Sequence, residues 1–326
     1  MRQQTFETKY QAVWQELDNL LHDLEHKKKR QLDGDGLRKF PVLYRQACYH
    51  YALAKTRQYS PQLIDQLHTL VMRAHQYFYR SNRFIVWQII QFVLVDFPQS
   101  VRRQAKLFWL SSGLLFGPAI VLGIVCYFNA DFVYSLLPEQ QVVEYESMYN
   151  PSAKILGRAR ESTTNFMMFG FYIEHNISIG FRTFAGGLLL GIGTILSLLF
   201  NGLIMGGLAG HLTQLGYIST FWPFVSGHSA FEITAICICG AAGLKLSYTL
   251  FAPGNRRRMD AIKHAARDAL PLVIGAAGML VIAAFIEAFW SSSTFFEPTT
   301  KYTVAGVLWT LVFLYFLFVG RRHAPR

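Results

Sequence analysis

Hydrophobic and polar positions change their rhythm about a third of the way along the chain. Through residues 6–31 the apolar side chains Phe6, Tyr10, Val13, Trp14, Leu17, Leu20, Leu21 and Leu24 recur at three- and four-residue spacing, which predicts an amphipathic helix. The run KKKR (27–30) closes that pattern, and basic residues suit the negative end of a helix dipole. LDGDG (32–36) reads as a turn, a second helix is expected over 37–58, and a third over 61–80. Ser60-Pro61 supplies an N-cap followed by proline at the first helical position. Residues 84–97, FIVWQIIQFVLVDF, are apolar but too short to span a bilayer, because a spanning helix needs about 20 residues. A helix lying in the headgroup layer is expected there.

From Leu107 onward the polar face disappears. Spans are expected at 107–128, 181–200, 202–221, 228–251, 269–290 and 302–320. Residues 162–179, STTNFMMFGFYIEHNISI, are mixed, and the segment carrying Asn165, Glu174 and Asn176 is expected to lie along the outer interface. Asn201-Gly202 is the expected tight turn between spans two and three. The alternative is one long helix over 181–212, with five spans plus a re-entrant segment. The fold class is therefore an all-α, multi-pass membrane protein of about six spans. Its parts are a cytosolic helical bundle (1–82), an interfacial helix with a basic linker (83–106) and a transmembrane domain (107–326). The last includes an outer loop (129–180) and a basic cytosolic loop (252–268).

Composition sharpens this picture. Of the 326 residues, 52% are hydrophobic and only 16% charged, well below the usual quarter for soluble domains. Residues 1–106 hold 17 Lys/Arg against 9 Asp/Glu, whereas 129–180 hold three against six. Six crossings put every strongly basic segment on the cytoplasmic side, as the positive-inside rule requires, with both termini cytoplasmic. The net charge of +11 is spread along the chain or flanks apolar spans, which favours a lipid bilayer as partner over nucleic acid. The four cysteines show neither a disulfide framework nor zinc spacing, and no cleavable signal peptide is expected.

The candidate chemistry is sparse. Gly187 and Gly191 lie in one expected span, and Gly202, Gly206 and Gly210 follow at four-residue spacing in the next. In lipid such spacing lets helix backbones approach closely, within one bundle or across a homodimer. SGHSAFE (226–232) places His228 and Glu232 one turn apart at the head of an apolar run. Counting from the span ends sets His228, Glu232, Glu287 and Arg182 at one outer depth. Three readings stay open: a helix clamp in which Arg182 pairs with Glu232 or Glu287, a proton- or solute-handling site, and half of a metal site. HxxxE supplies only two ligands where zinc needs three or four, and no HExxH, Walker loop or GxSxG is present. No catalytic residue, metal or cofactor is therefore assigned.

Several stretches together resemble the stage II sporulation protein M family, in its longer Gram-negative type. They are FYIEHNISIGFRTFAGGLLLGIGT (171–194), NGLIMGG (201–207), GHSAFEITAICICGAAGL (227–244) and AFIEAFWSS (284–292). LYRQACYHYALAKTR (43–57) and LVMRAHQYFYR (70–80) are similar to the soluble part of that type. Where the sporulation proteins carry Pro-His-Gly, this chain has Gly227-His228-Ser229. The resemblance implies a multi-pass bacterial inner-membrane protein that is not an enzyme. It would be a scaffold in an envelope complex, with a cytosolic partner such as a MoxR-type ATPase. A transporter or channel built on the polar cluster is the alternative, and an intramembrane metallohydrolase a more distant one.

Overall fold

A computed structural model describes residues 2–26, 34–79, 82–152, 165–254, 257–293 and 295–321. The KKKR run, most of the LDGDG turn and part of the 129–180 loop lie outside the described residues. Every regular element among those described is helical. The chain divides into two compact units, Met1–Ile90 and Gln91–Arg326.

In the first unit α1 (Gln3–His26), α2 (Gly34–Thr56) and α3 (Pro61–Tyr79) pack around one core. Phe6, Leu17, Leu21, Ala47, Leu67 and Ala74 are fully buried, so each helix turns its periodic apolar stripe inward. Burying one such large side chain is worth about 1.5–3 kcal/mol, which offsets the cost of ordering short helices that are marginal alone. The Ser60 hydroxyl accepts from the Leu63 N–H at the head of α3. Gln3 ties the start of α1 to the same turn through Ser60. Inside the core, the Trp14 indole N–H donates to His50 Nδ1 at 3.1 Å. Beyond α3, α4 (Asn82–Gln91) leaves Val86, Trp87, Ile89 and Ile90 exposed.

The second unit begins with a π-helical turn (Phe92–Asp96) and α5 (Phe97–Arg103), followed by α6 (Ala105–Phe128). After a 3₁₀ turn (Ala130–Ser135) come α7 (Glu139–Tyr149), α8 (Asn165–Ala185), α9 (Ile192–Gln214) and α10 (Ile218–Phe251). α11 (Arg258–Ile286) runs into a second π-helical turn (Glu287–Ser291), and α12 (Pro298–Phe318) completes the bundle. α6, α9, α10, α11 with its π turn, and α12 are each long and apolar enough to cross a membrane. The 34-residue α10 is the central helix, its inner stretch from Thr234 to Leu244 buried throughout. The outer faces instead display Ile120, Ile124, Leu196, Phe200, Ile274 and Phe313, an apolar exterior suited to acyl chains.

Helix directions follow from close backbone contacts. Gly202, Gly206 and Gly210 of α9 meet Leu115, Ala119 and Gly123 of α6, so these two helices run parallel. A Cβ on any of the three glycines would strike α6 backbone. α10 runs the other way, with Gly240 against Ser111 of α6 and Leu198 of α9. α8 follows α10: Gly180 sits by Cys239 and Leu280, and Gly187 meets Gly243 backbone. α5 closes one end, its Phe97 ring filling the space above Gly275. Arg102 donates to the last carbonyls of α12, Phe316 O and Val319 O, both at 2.8 Å.

Two expectations change. Residues 162–179 do not lie along one end of the bundle. From Asn165 they form α8, a 21-residue helix packed lengthwise between α10 and α11. Glu174 and His175 are exposed and lower the hydropathy of this segment, while Tyr172 and Asn176 face inward. The break between spans two and three is also not at Asn201-Gly202. Asn201 Nδ2 donates to Ser197 O at 2.7 Å, so its amide is used inside the single helix α9. The turn lies at Gly186–Gly191, where Leu190 (φ 54°) and Gly191 (φ 81°) take left-handed conformations. Gly191 is thus a turn residue that abuts the Ser247 side chain of α10, while Gly187 meets α10 backbone at Gly243.

Charge is split between the two ends of this bundle. Among the described residues Arg102, Arg103, Lys106, Arg182, Arg257, Arg258 and Arg321 mark the basic end. Asp131, Glu139, Glu144, Glu146 and Glu297 mark the acidic end.

Candidate functional site

The polar cluster lies toward the acidic end, where α10 crosses α11. The π-helical turn at the end of α11 shapes it. With the wider turn of a π helix, Glu287 and Ser291 fall on one face, toward α10. Ser291 Oγ is 3.0 Å from His228 Nδ1, and Glu232 Oε2 is 3.8 Å from His228 Nε2. One ligating atom each from His228, Glu232 and Glu287 falls within 4.8 Å of the others. The imidazole therefore has the π-turn hydroxyl of Ser291 at one ring nitrogen and the Glu232 carboxylate of α10 beyond the other, with Glu287 of the π turn close by. His228 is buried and packs edge-on against Phe224, with ring centres 5.6 Å apart.

Sequence reasoning missed the supporting residues. Lys301 of α12 is 3% exposed and donates from Nζ to Ser291 O at 2.8 Å, fixing the end of the π turn. Tyr149, from α7, is wedged between Phe221 and Phe224, and its carbonyl accepts from the Thr220 hydroxyl. Burial first, then the nearby Glu287 carboxylate, raises the Tyr149 hydroxyl above the ordinary tyrosine range, with Glu232 adding to the effect. Its phenol stays protonated and can donate. Neither residue belongs to a motif. The only signal in the sequence is a lysine immediately before the expected span at 302–320, where such a side chain ordinarily snorkels to the interface.

Arg182 is not part of this cluster. It is exposed at the end of α8, next to Thr183, whose carbonyl lies against Gly243. Gly243 is fifteen residues, roughly 22 Å, along α10 from His228. The reversed direction of this segment moves Arg182 to the basic end, so the expected pairing with Glu232 or Glu287 does not form. What clamps α10 to α11 and α12 is the chain His228–Ser291–Lys301.

A cavity of about 750 Å³ opens between α6, α9 and α10, with Trp309 of α12 at its edge. Its walls are mainly apolar, including Phe116, Ile120, Ile124, Met205 and Val225, and His228 and Glu232 reach it. Side by side, these groups can hold helices together, exchange a proton, or bind a cation. Elsewhere, His211 Nε2 lies 2.8 Å from Glu146, joining α9 to α7. Lys245 meets Asp268 at 3.0 Å across the basic end.

Comparison with known proteins gives two family matches. The family model described as stage II sporulation protein M matches residues 112–292, which hold α8 to α11 and the whole His228–Glu232–Glu287 cluster. A domain of unknown function, DUF8413, matches residues 4–80, the three-helix unit. The chain is also 29% identical over 120 residues to an uncharacterized protein of Methanocaldococcus jannaschii, covering 36% of this chain and 67% of the relative. No solved structure matches. With the first model covering more than half its length, the chain belongs to the stage II sporulation protein M family.

Proposed function

We propose that the protein is a non-enzymatic membrane scaffold. On this reading the three-helix unit docks a cytosolic partner and the bundle holds it at a bacterial inner membrane. One observation carries the proposal: residues 1–90 form a separate unit with its own closed core, and that unit still exposes Tyr49 (63%), Val42 and Met72. Exposed aromatic and methionine side chains are favoured anchors at protein interfaces. The charge split favours cytoplasmic placement of the basic end, and hence of both termini. The apolar exterior of α4 suits a helix seated in the headgroup layer.

A MoxR-type ATPase is the first partner to test. Detergent-extracted full chain should co-elute with it in size-exclusion chromatography, and Tyr49→Asp with Met72→Asp should abolish co-elution while leaving the melting curve intact. Equal co-elution by the double variant defeats docking at this surface.

The cavity supports a second reading, a transporter or channel, because it brings lipid-accessible space to His228 and Glu232. Flux in reconstituted liposomes should then fall at least tenfold in Glu232→Gln. Equal background flux in both proteins, across a panel of ions and solutes, removes this reading.

A further inference from the structure

We infer that His228, Glu232 and Glu287 bind a divalent cation of the zinc–manganese class. The donor set is the first argument. An imidazole and two carboxyl groups on the bilayer-embedded part of two helices supply one nitrogen and two oxygen donors to the same space. Nitrogen and carboxylate oxygen together suit zinc and manganese.

Geometry is the second argument. Ligands bound tetrahedrally at about 2.0–2.2 Å from one ion stand roughly 3.3–3.6 Å apart. His228 Nε2 and Glu232 Oε2 are 3.8 Å apart, too far for a direct hydrogen bond and a little wider than that window. Glu287 completes a set of three within 4.8 Å, so side-chain adjustments of about an ångström bring the donors around one ion.

The third argument is independent of the acidic groups. Metal-binding histidines direct their second ring nitrogen to an outer-shell partner that fixes tautomer and ring orientation. Ser291 Oγ meets Nδ1 at 3.0 Å; with the Nδ1 proton donated to that hydroxyl, the Nε2 lone pair on the Glu232 side is left for an ion. Ser291 is fully buried, and Lys301 holds its carbonyl in turn. The π turn that presents Glu287 also presents Ser291, so one backbone irregularity supplies both a ligand and the orienting partner. Three protein ligands leave at least one coordination position, and the cavity lined by His228 and Glu232 gives an incoming oxygen ligand access to them.

The test uses the purified full chain with any affinity tag removed. Zinc content is measured by mass spectrometry, and Co²⁺ serves as a spectroscopic probe through its visible d–d bands. The wild type should retain close to one ion per chain and show the bands. Glu287→Gln and His228→Gln should lose them. Ser291→Ala should keep them with affinity about tenfold weaker. Glu174→Gln, exposed on α8, should match the wild type. Helical content and melting without metal identify any variant that fails to fold, and Ser291→Ala then carries the comparison. Wild-type binding weaker than about 1 mM, or unchanged binding in a folded Glu287→Gln, overturns the site. The docking role stands or falls separately.

Discussion

At the scale of single residues, small differences in surroundings decide the consequence of a substitution. Gly206 and Gly117 are both glycines in apolar helices. A side chain at Gly206 would meet the Ala119 backbone, whereas a Cβ added at Gly117 would meet no neighbouring helix within 4 Å. Gly206→Val should therefore destabilise the bundle by at least about 1–3 kcal/mol and lower its melting temperature by several degrees. Gly117→Ala should change it by less than about 0.5 kcal/mol. Lys301→Met removes the donor to Ser291 O, and the buried carbonyl left behind should cost about 1–3 kcal/mol in a thermal melt. The glycine spacing and the His228–Glu232 pair were legible because one helix carries each pattern. Lys301, Ser291 and Tyr149 were not, because three different elements deliver them and no local spacing records that meeting.

At the scale of elements, periodicity told the amphipathic helices apart from the apolar ones but misplaced a turn. Three polar residues in a row, Glu174, His175 and Asn176, drew α8 to the interface on hydropathy alone. Two of them in fact face outward from a helix whose other side is packed. Asn201-Gly202 carries turn chemistry that the side-chain bond to Ser197 cancels. The real turn, GGLLLG, looked like helix because its leucines are apolar. In the three-helix unit, His50 sits in the core as a neutral acceptor for Trp14, and burial lowers its pKa below the ordinary value of about 6.5. The unfolded chain thus takes up a proton that the folded unit resists. Stability is full above that value and falls as pH drops below it. Hydrogen exchange in the full chain should show α1–α3 amides opening faster at pH 5.5 than at pH 7.5. His50→Gln, which cannot charge, should abolish that difference.

At the scale of the molecule, the contacts fix which ends share a side. Cysteines placed at Arg182 and Met259 in a Cys48→Ser background should be labelled by an impermeant thiol reagent from one face of sealed vesicles. Cysteines at Glu139 and Glu297 should react only from the other. Labelling of Arg182→Cys together with Glu139→Cys would reverse the direction assigned to α8. The parallel contact of α6 with α9 has a kinetic consequence. Two neighbouring helices that enter from the same side cannot be joined by a short hairpin, so α8 must first return through the layer. The surface around Leu115, Ala119 and Gly123 therefore waits, unpaired with α9, until Gly202, Gly206 and Gly210, each 87 residues further along, are synthesised and threaded. For that interval α6 is a partner without its match, and any assistance the chain needs during insertion falls there, before the glycine seam closes.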